Sequence, residues 1–128
     1  MTRVRAHFIL YVRDQAASAA FYRAVLAMEP ALDVPGMTEL HIGDAVLGLM
    51  PEAGIKRLLG DALPDPSGAR GTPRSELYLV VDDPQAHHAR ALAHGARELS
   101  PLSARDWGHE VAYSLDPDGH VLAFAREG

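Results

Sequence analysis

The chain has no cysteine, which excludes disulfides, thiolate metal ligands and cysteine nucleophiles. Aromatic residues are scarce at 6%, with a single tryptophan, so each ring position carries information. No run approaches the roughly 20 apolar residues that a membrane-spanning helix needs. Positive charge is not in excess either: 12 Lys and Arg stand against 17 Asp and Glu, a formal net charge of -5. Nucleic acid or an anionic membrane is not expected as a partner of such a surface. The glycine-rich phosphate loop, the G-x-S-x-G elbow and the H-E-x-x-H zinc signature are also missing. The opening segment, MTRVRAHFILYVRD, meets charged residues before its apolar run reaches signal-peptide length, so a cytoplasmic protein is expected.

What is present is ordinary for a globular chain: 128 residues, 48% hydrophobic and 23% charged, enough for one domain with a real core. His7 to Val12, HFILYV, reads as a buried strand. Asp14 stands where a helix N-cap belongs, before an Ala-rich stretch in which Ala17, Phe21, Ala24, Val25 and Met28 share a face. Pro30 and the pair Pro35-Gly36 end that element. MTELHI and AVLGLM flank Gly43-Asp44 and predict a hairpin. Residues 51–74, with several Pro and Gly, read as a connecting loop, a linker or a lid, with a short helical turn over Ile55–Leu59.

The second half repeats this order. ELYLVV is a strand, and Asp83-Pro84 starts a helix with Ala86, Ala89 and Ala93 on one face and Gly95 as its closing residue. His87, His88 and His94 fall away from that alanine face and read as solvated. Strands around GHEVAYSL and HVLAFA are joined by the turn DPDG at Asp116–Gly119. Aligned, His7–Asp14 matches Glu76–Asp83, and AVLGLM falls opposite HVLAFA. The expected class is therefore α+β: two βαβββ modules forming curved mixed sheets with helices on the outer face. Module one covers residues 1–50, the connecting loop 51–74 and module two 75–128, all within a single domain 1–128. Paired side by side, the sheets would make a trough able to hold a ligand.

His-apolar-x-apolar-x-Val-x-Asp, then Ala-Ser-Ala-Ala-Phe-Tyr and Val-Leu, resemble the first module of the vicinal-oxygen-chelate group, the glyoxalase/bleomycin-resistance/dioxygenase superfamily. Trp107-Gly108-His109 through Val111-Ala112-Tyr113, and Asp116-Pro117-Asp118-Gly119-His120, are similar to its closing strands. The resemblance implies a divalent metal held by four inward-facing slots, which map here to His7, Gly48, Glu76 and Ala123. Gly48 and Ala123 have no donor. Catalytic metal sites use about three protein ligands, so no metal is favoured, with His7 and Glu76 as its ligands should one bind. His41 or His120 would have to supply a third donor, and strand alternation turns His120 away from the Ala123 slot.

The expected ligand-binding residues are His7, Ile9, Tyr11, Glu76, Tyr78, Trp107 and Ala123, with Glu76 and His7 as candidate acid/base groups. Glu76 either stands at a strand end near solvent or faces a ligand cation. Trp107 either stacks on a planar ligand or closes the end of the sheet. Tyr113 is expected on the opposite side or near the rim, and the small residues Gly48 and Ala123 are expected to widen the trough. By resemblance the protein is expected to be a metal-free, bleomycin-resistance-type binder of a small, partly aromatic or cationic molecule, working as a homodimer. The alternative is a metal-dependent lyase, isomerase or dioxygenase, or a metal-independent acid/base catalyst using Glu76.

Overall fold

Asp14 and Asp83 begin the two halves in the same way. Each carboxylate accepts the backbone N–H three residues on, Ala17 at 3.0 Å and Ala86 at 3.1 Å, and so caps its helix. In the computed structural model, which describes residues 4–128, the caps stand before α1 (Gln15–Leu26) and α3 (Pro84–Ala93). The first residues of the charged opening segment, Met1 to Arg3, lie outside that range. The strands are β1 (His7–Val12), β2 (Leu32–Val34), β3 (Met37–Ile42) and β4 (Ala45–Pro51), then β5 (Glu76–Val80), β6 (Arg97–Ala104), β7 (His109–Leu115) and β8 (Val121–Glu127). A further helix, α2 (Glu52–Leu59), follows β4 and precedes two 3₁₀ turns.

The strands form two four-stranded mixed sheets of the same topology, β1-β4-β3-β2 and β5-β8-β7-β6. β1 runs parallel to β4, and β5 parallel to β8; the remaining pairs are antiparallel. The repeat read from the sequence is thus a repeat of structure. It also explains why AVLGLM and HVLAFA do not alternate: β4 and β8 are interior strands, and Val46–Leu49 and Leu122–Ala125 are buried on both faces. The chain divides into two compact units, the first holding residues up to Arg23 with Ala27–Gly68, the second Ala24–Leu26 with Ala69–Gly128.

Several expectations are corrected. β1 and β5 are edge strands, so HFILYV is buried only in its second half, while Glu76, at the start of β5, is exposed as its strand-end alternative has it. Ala27, in the left-handed region at φ 52°, ends α1 before Pro30 is reached. Residues 52–59 form two turns of α-helix where a single short turn was expected. The buried face of α3 is Pro84, His88 and Ala91, while Ala89 and Ala93 are exposed. His88 is therefore not solvated. It is 2% exposed, and its Nε2 lies 2.8 Å from a Glu98 carboxylate oxygen. His87 also packs inward, its ring 5.4 Å from that of Phe124.

Candidate functional site

In the second sheet, strand register decides which side chains share the face opposite α3. Tyr78 pairs with Ala123, Ala123 with Tyr113, and Tyr113 with Ser100. Laterally paired residues project to the same side of a sheet, so this face carries Glu76, Tyr78, Val111, Tyr113, Ala123 and Ala125. Leu77, Leu122, Phe124 and Ala112 alternate onto the other side, where Ala91 and His88 of α3 are buried. Tyr113 was expected on the opposite side or at the rim. It instead packs with Tyr78 against Val111, Ala123 and Ala125.

Trp107 stands in the turn that leads into β7, followed by Gly108 at φ 89°. It does not close the end of the sheet, because 56% of it is exposed. Its indole N–H donates to the Tyr78 hydroxyl at 2.9 Å, and that hydroxyl lies 2.6 Å from Nδ1 of His109. The Tyr78 and His109 rings also stack, with centroids 5.9 Å apart and planes at 29°. One turn residue and two strand residues are thereby tied into an aromatic platform. Beside it, the Arg105 guanidinium lies 5.1 Å from the Tyr113 ring centroid and donates to Ser100 Oγ at 2.7 Å and the Val111 carbonyl at 2.8 Å. Burial holds the Tyr113 phenol above its ordinary pKa, with the charge of Glu76 and then Tyr78 adding to the rise and Arg105 opposing it.

His109 and Arg105 were not among the residues selected from sequence. A signal was available: His109, Val111 and Tyr113 alternate along β7, so placing one of them on the Ala123 face places all three. The register was the missing step.

The first sheet arranges His7, Ile9 and Tyr11 on one face of β1, beside Val46, Gly48 and Met50 of β4. Glu39 on β3 pairs with Gly48, and its carboxylate lies 3.5 Å from His7 Nδ1. Glu39, absent from the residues selected, is thus the acidic partner of His7 in this unit. His41 shares that face of β3, and its Nε2 lies 3.3 Å from the Arg5 guanidinium.

The four slots of the resemblance do not form a donor set within either unit. A β-carbon at Gly48 would lie 3.1 Å from both Ile9 Cγ1 and Met37 Sδ, so these side chains would have to give by a few tenths of an ångström to admit one. Ala123 is fully buried beneath Tyr78 and Tyr113. Within its own unit, each of these two small positions has neighbouring side chains packed against it. Among the described residues, no three His, Asp or Glu side chains cluster at metal-holding spacing. Within each unit the two slots supply one donor, His7 in the first and Glu76 in the second, against the roughly three that a catalytic ion takes.

His120 has a structural task. The Arg74 guanidinium, which only donates, lies 3.2 Å from its Nε2. Its proton therefore sits on Nδ1 and points to Ser75 Oγ at 2.7 Å. Ser75 accepts in this pair, which is the wrong polarity for an activated nucleophile. Asp116 Oδ1 accepts the backbone N–H of Asp118 and of His120, both at 2.9 Å, so this turn is locked from within.

A model of the Glyoxalase/Bleomycin resistance protein/Dioxygenase superfamily matches residues 5–124. Among solved structures, the chain is similar to a glyoxalase-related enzyme from Fulvimarina pelagi, at 25% identity and a TM-score of 0.82, covering 99% of this chain and 89% of that one. It is also similar to a glyoxalase/bleomycin resistance protein/dioxygenase from Nocardioides, at 17% identity and TM-score 0.77, covering 99% and 85%. A family enzyme from Burkholderia phytofirmans PsJN gives 20% identity and TM-score 0.77, covering 96% and 98%. No curated protein sequence matches the chain significantly.

Proposed function

The chain belongs to the glyoxalase/bleomycin resistance protein/dioxygenase superfamily, and from that premise we propose that it is a metal-free binding protein for small planar aromatic molecules, cationic ones in particular. The observation that carries this reading is the platform of Trp107, Tyr78 and His109. An indole left 56% exposed, yet fixed by a hydrogen bond to a tyrosine, offers a rigid stacking surface at little entropic cost. Exposed Glu76 on the same face and the net charge of -5 favour a positively charged ligand. The same acidity is compatible with a basic drug such as bleomycin. The lack of a donor at Gly48 and Ala123 supports binding without a metal, and a metal-dependent lyase, isomerase or dioxygenase would need a donor beyond His7 and Glu76. A cytoplasmic homodimer completes the reading. No helix among the described residues is long and apolar enough to cross a membrane.

Trp107 is the only tryptophan, so its fluorescence reports directly on the platform. Titration with bleomycin and with 9-aminoacridine is expected to quench that emission and to raise the melting temperature. Unchanged emission and melting temperature across such a panel would remove the basis of the reading. Light scattering during size-exclusion chromatography checks the dimer, and a monomer at micromolar concentration would refute that part.

A further inference from the structure

One hydrogen bond of the platform has a fixed direction. Indole Nε1 is a donor and never an acceptor, so at 2.9 Å the Tyr78 oxygen receives its proton. The phenol has one proton of its own and a second lone pair, and the ring nitrogen 2.6 Å away is His109 Nδ1, so either partner can supply the proton of that bond. If the phenol supplies it, Nδ1 is the accepting nitrogen and the imidazole proton is on Nε2. His109 Nε2 has no partner among the described residues. With the bonds running that way, the chain Trp107 to Tyr78 to His109 starts at an exposed ring and ends in an uncommitted N–H donor. Tyr113, on the same face, likewise has a hydroxyl with no hydrogen-bond partner among the described residues.

Resting on the binding reading above, we propose that this relay sets the polarity of the site: His109 Nε2–H selects aromatic ligands that carry a hydrogen-bond acceptor at the ring edge, a heteroaromatic nitrogen or a carbonyl. Tyr78 is the positioning residue. Its hydroxyl makes no call on the ligand, yet it holds His109 in the donor tautomer. Without it Nδ1 is released, and the imidazole is free to present either a donor or an acceptor. A ring lacking the acceptor would leave the Nε2–H desolvated and unpaired beneath it, which is where the discrimination arises.

The test uses two probes of one shape and charge, 2-(aminomethyl)naphthalene and its ring-nitrogen isostere 6-(aminomethyl)quinoline. Affinities for the full-length protein are measured by ligand-observed NMR. One neutral hydrogen bond predicts that the quinoline binds roughly 2- to 10-fold tighter in the wild type. In Tyr78→Phe the preference is expected to fall toward parity while the naphthalene still binds. Should that variant fold poorly, Trp107→Phe keeps a stacking ring but frees the Tyr78 oxygen to accept from His109 Nδ1, so the preference is expected to fall, and an undiminished preference would overturn the relay. Nitrogen-15 correlation spectra of the histidines read the tautomer directly, and His109 is expected to show a protonated Nε2 and a bare Nδ1. A protonated Nδ1 overturns the inference whatever the ligands do. Equal binding of the two probes overturns the polarity and leaves the binding reading standing. Binding of neither probe overturns both.

Discussion

Restoring the donor that the superfamily pattern places at Ala123 is expected to damage the fold and gain no metal site. Ala123 is fully buried, packed against Val111 and Ala125 and covered by Tyr78 and Tyr113. Growing a glutamate there overfills the core, which costs about 1–3 kcal/mol. A buried carboxyl ordinarily rises by about two pKa units, and at neutral pH that adds about 3 kcal/mol. The sum for Ala123→Glu is about 4–6 kcal/mol, a large share of the roughly 5–15 kcal/mol that stabilises a domain. Arg105, stacked on Tyr113, is positioned to offset part of the charge contribution. Ala123→Gln carries the same bulk without the charge and is the control. Because the introduced carboxyl has a raised folded pKa, its charge penalty is absent below about pH 4 and complete above about pH 7. Urea denaturation followed by circular dichroism should therefore show the Glu and Gln variants close together in acid and diverging as pH rises. A Glu variant within about 1 kcal/mol of wild type at neutral pH would refute the reasoning. So would a Glu variant that divalent zinc stabilises, because either result means that the slot is open.

The Tyr113 phenol should ionise above the ordinary tyrosine value of 10.0 in an alkaline absorbance titration, through a component that Tyr113→Phe removes. Glu76→Gln should lower that component and Arg105→Gln should raise it. The raised pKa favours the protonated fold, so the contribution is intact below pH 10.0 and is lost as pH rises through the folded pKa. His88→Ala should cost about 2–4 kcal/mol, whereas His88→Leu should cost under about 1 kcal/mol. The leucine fills the space and removes the buried Nδ1 that has no partner, while half-exposed Glu98 turns to water. Equal losses in urea melts would show that the hydrogen bond to Glu98 dominates. Gln15 bonds the Val34 carbonyl, Thr38 Oγ1 and the Gly36 N–H, so Gln15→Ala should cost about 1–3 kcal/mol in the same assay. A loss below about 0.5 kcal/mol would mean that solvent replaces all three bonds.

The repeat was legible because the residues that define it act locally. Asp14 and Asp83 cap within three residues, and the apolar runs of β4 and β8 mark strands buried on both faces. β2 escaped notice because its three residues, Leu32–Val34, are too few to show a period. β6 was hidden by Pro101, which a sheet tolerates on an edge strand, and here the ladder shifts register on either side of Ser100. In α3 the stripe of alanines misled, since Ala suits either face. The true phase runs from Pro84 through His88 to Ala91, at spacings of four and three.

At the candidate site, Tyr78 and Trp107 were legible as aromatic residues of the right strand and turn. Their direct hydrogen bond and the contact of Tyr78 with His109 were not, because they depend on the pairing of β5 and β7 with β8 and on how the turn folds back. The packing around Gly48 was also out of reach. Absence of a side chain reads as space in a sequence, whereas here Ile9 and Met37 converge on it.

The central claim is ligand binding by the Trp107 platform without a metal. The measurement that tests it most directly is calorimetric titration of 9-aminoacridine into protein stripped with a chelator, into protein loaded with zinc, and into stripped Trp107→Ala. Equal affinity in the stripped and loaded wild type, with binding lost in the variant, is the predicted result. Binding that appears only in the zinc-loaded protein, or that survives the loss of Trp107 unchanged, would contradict the claim.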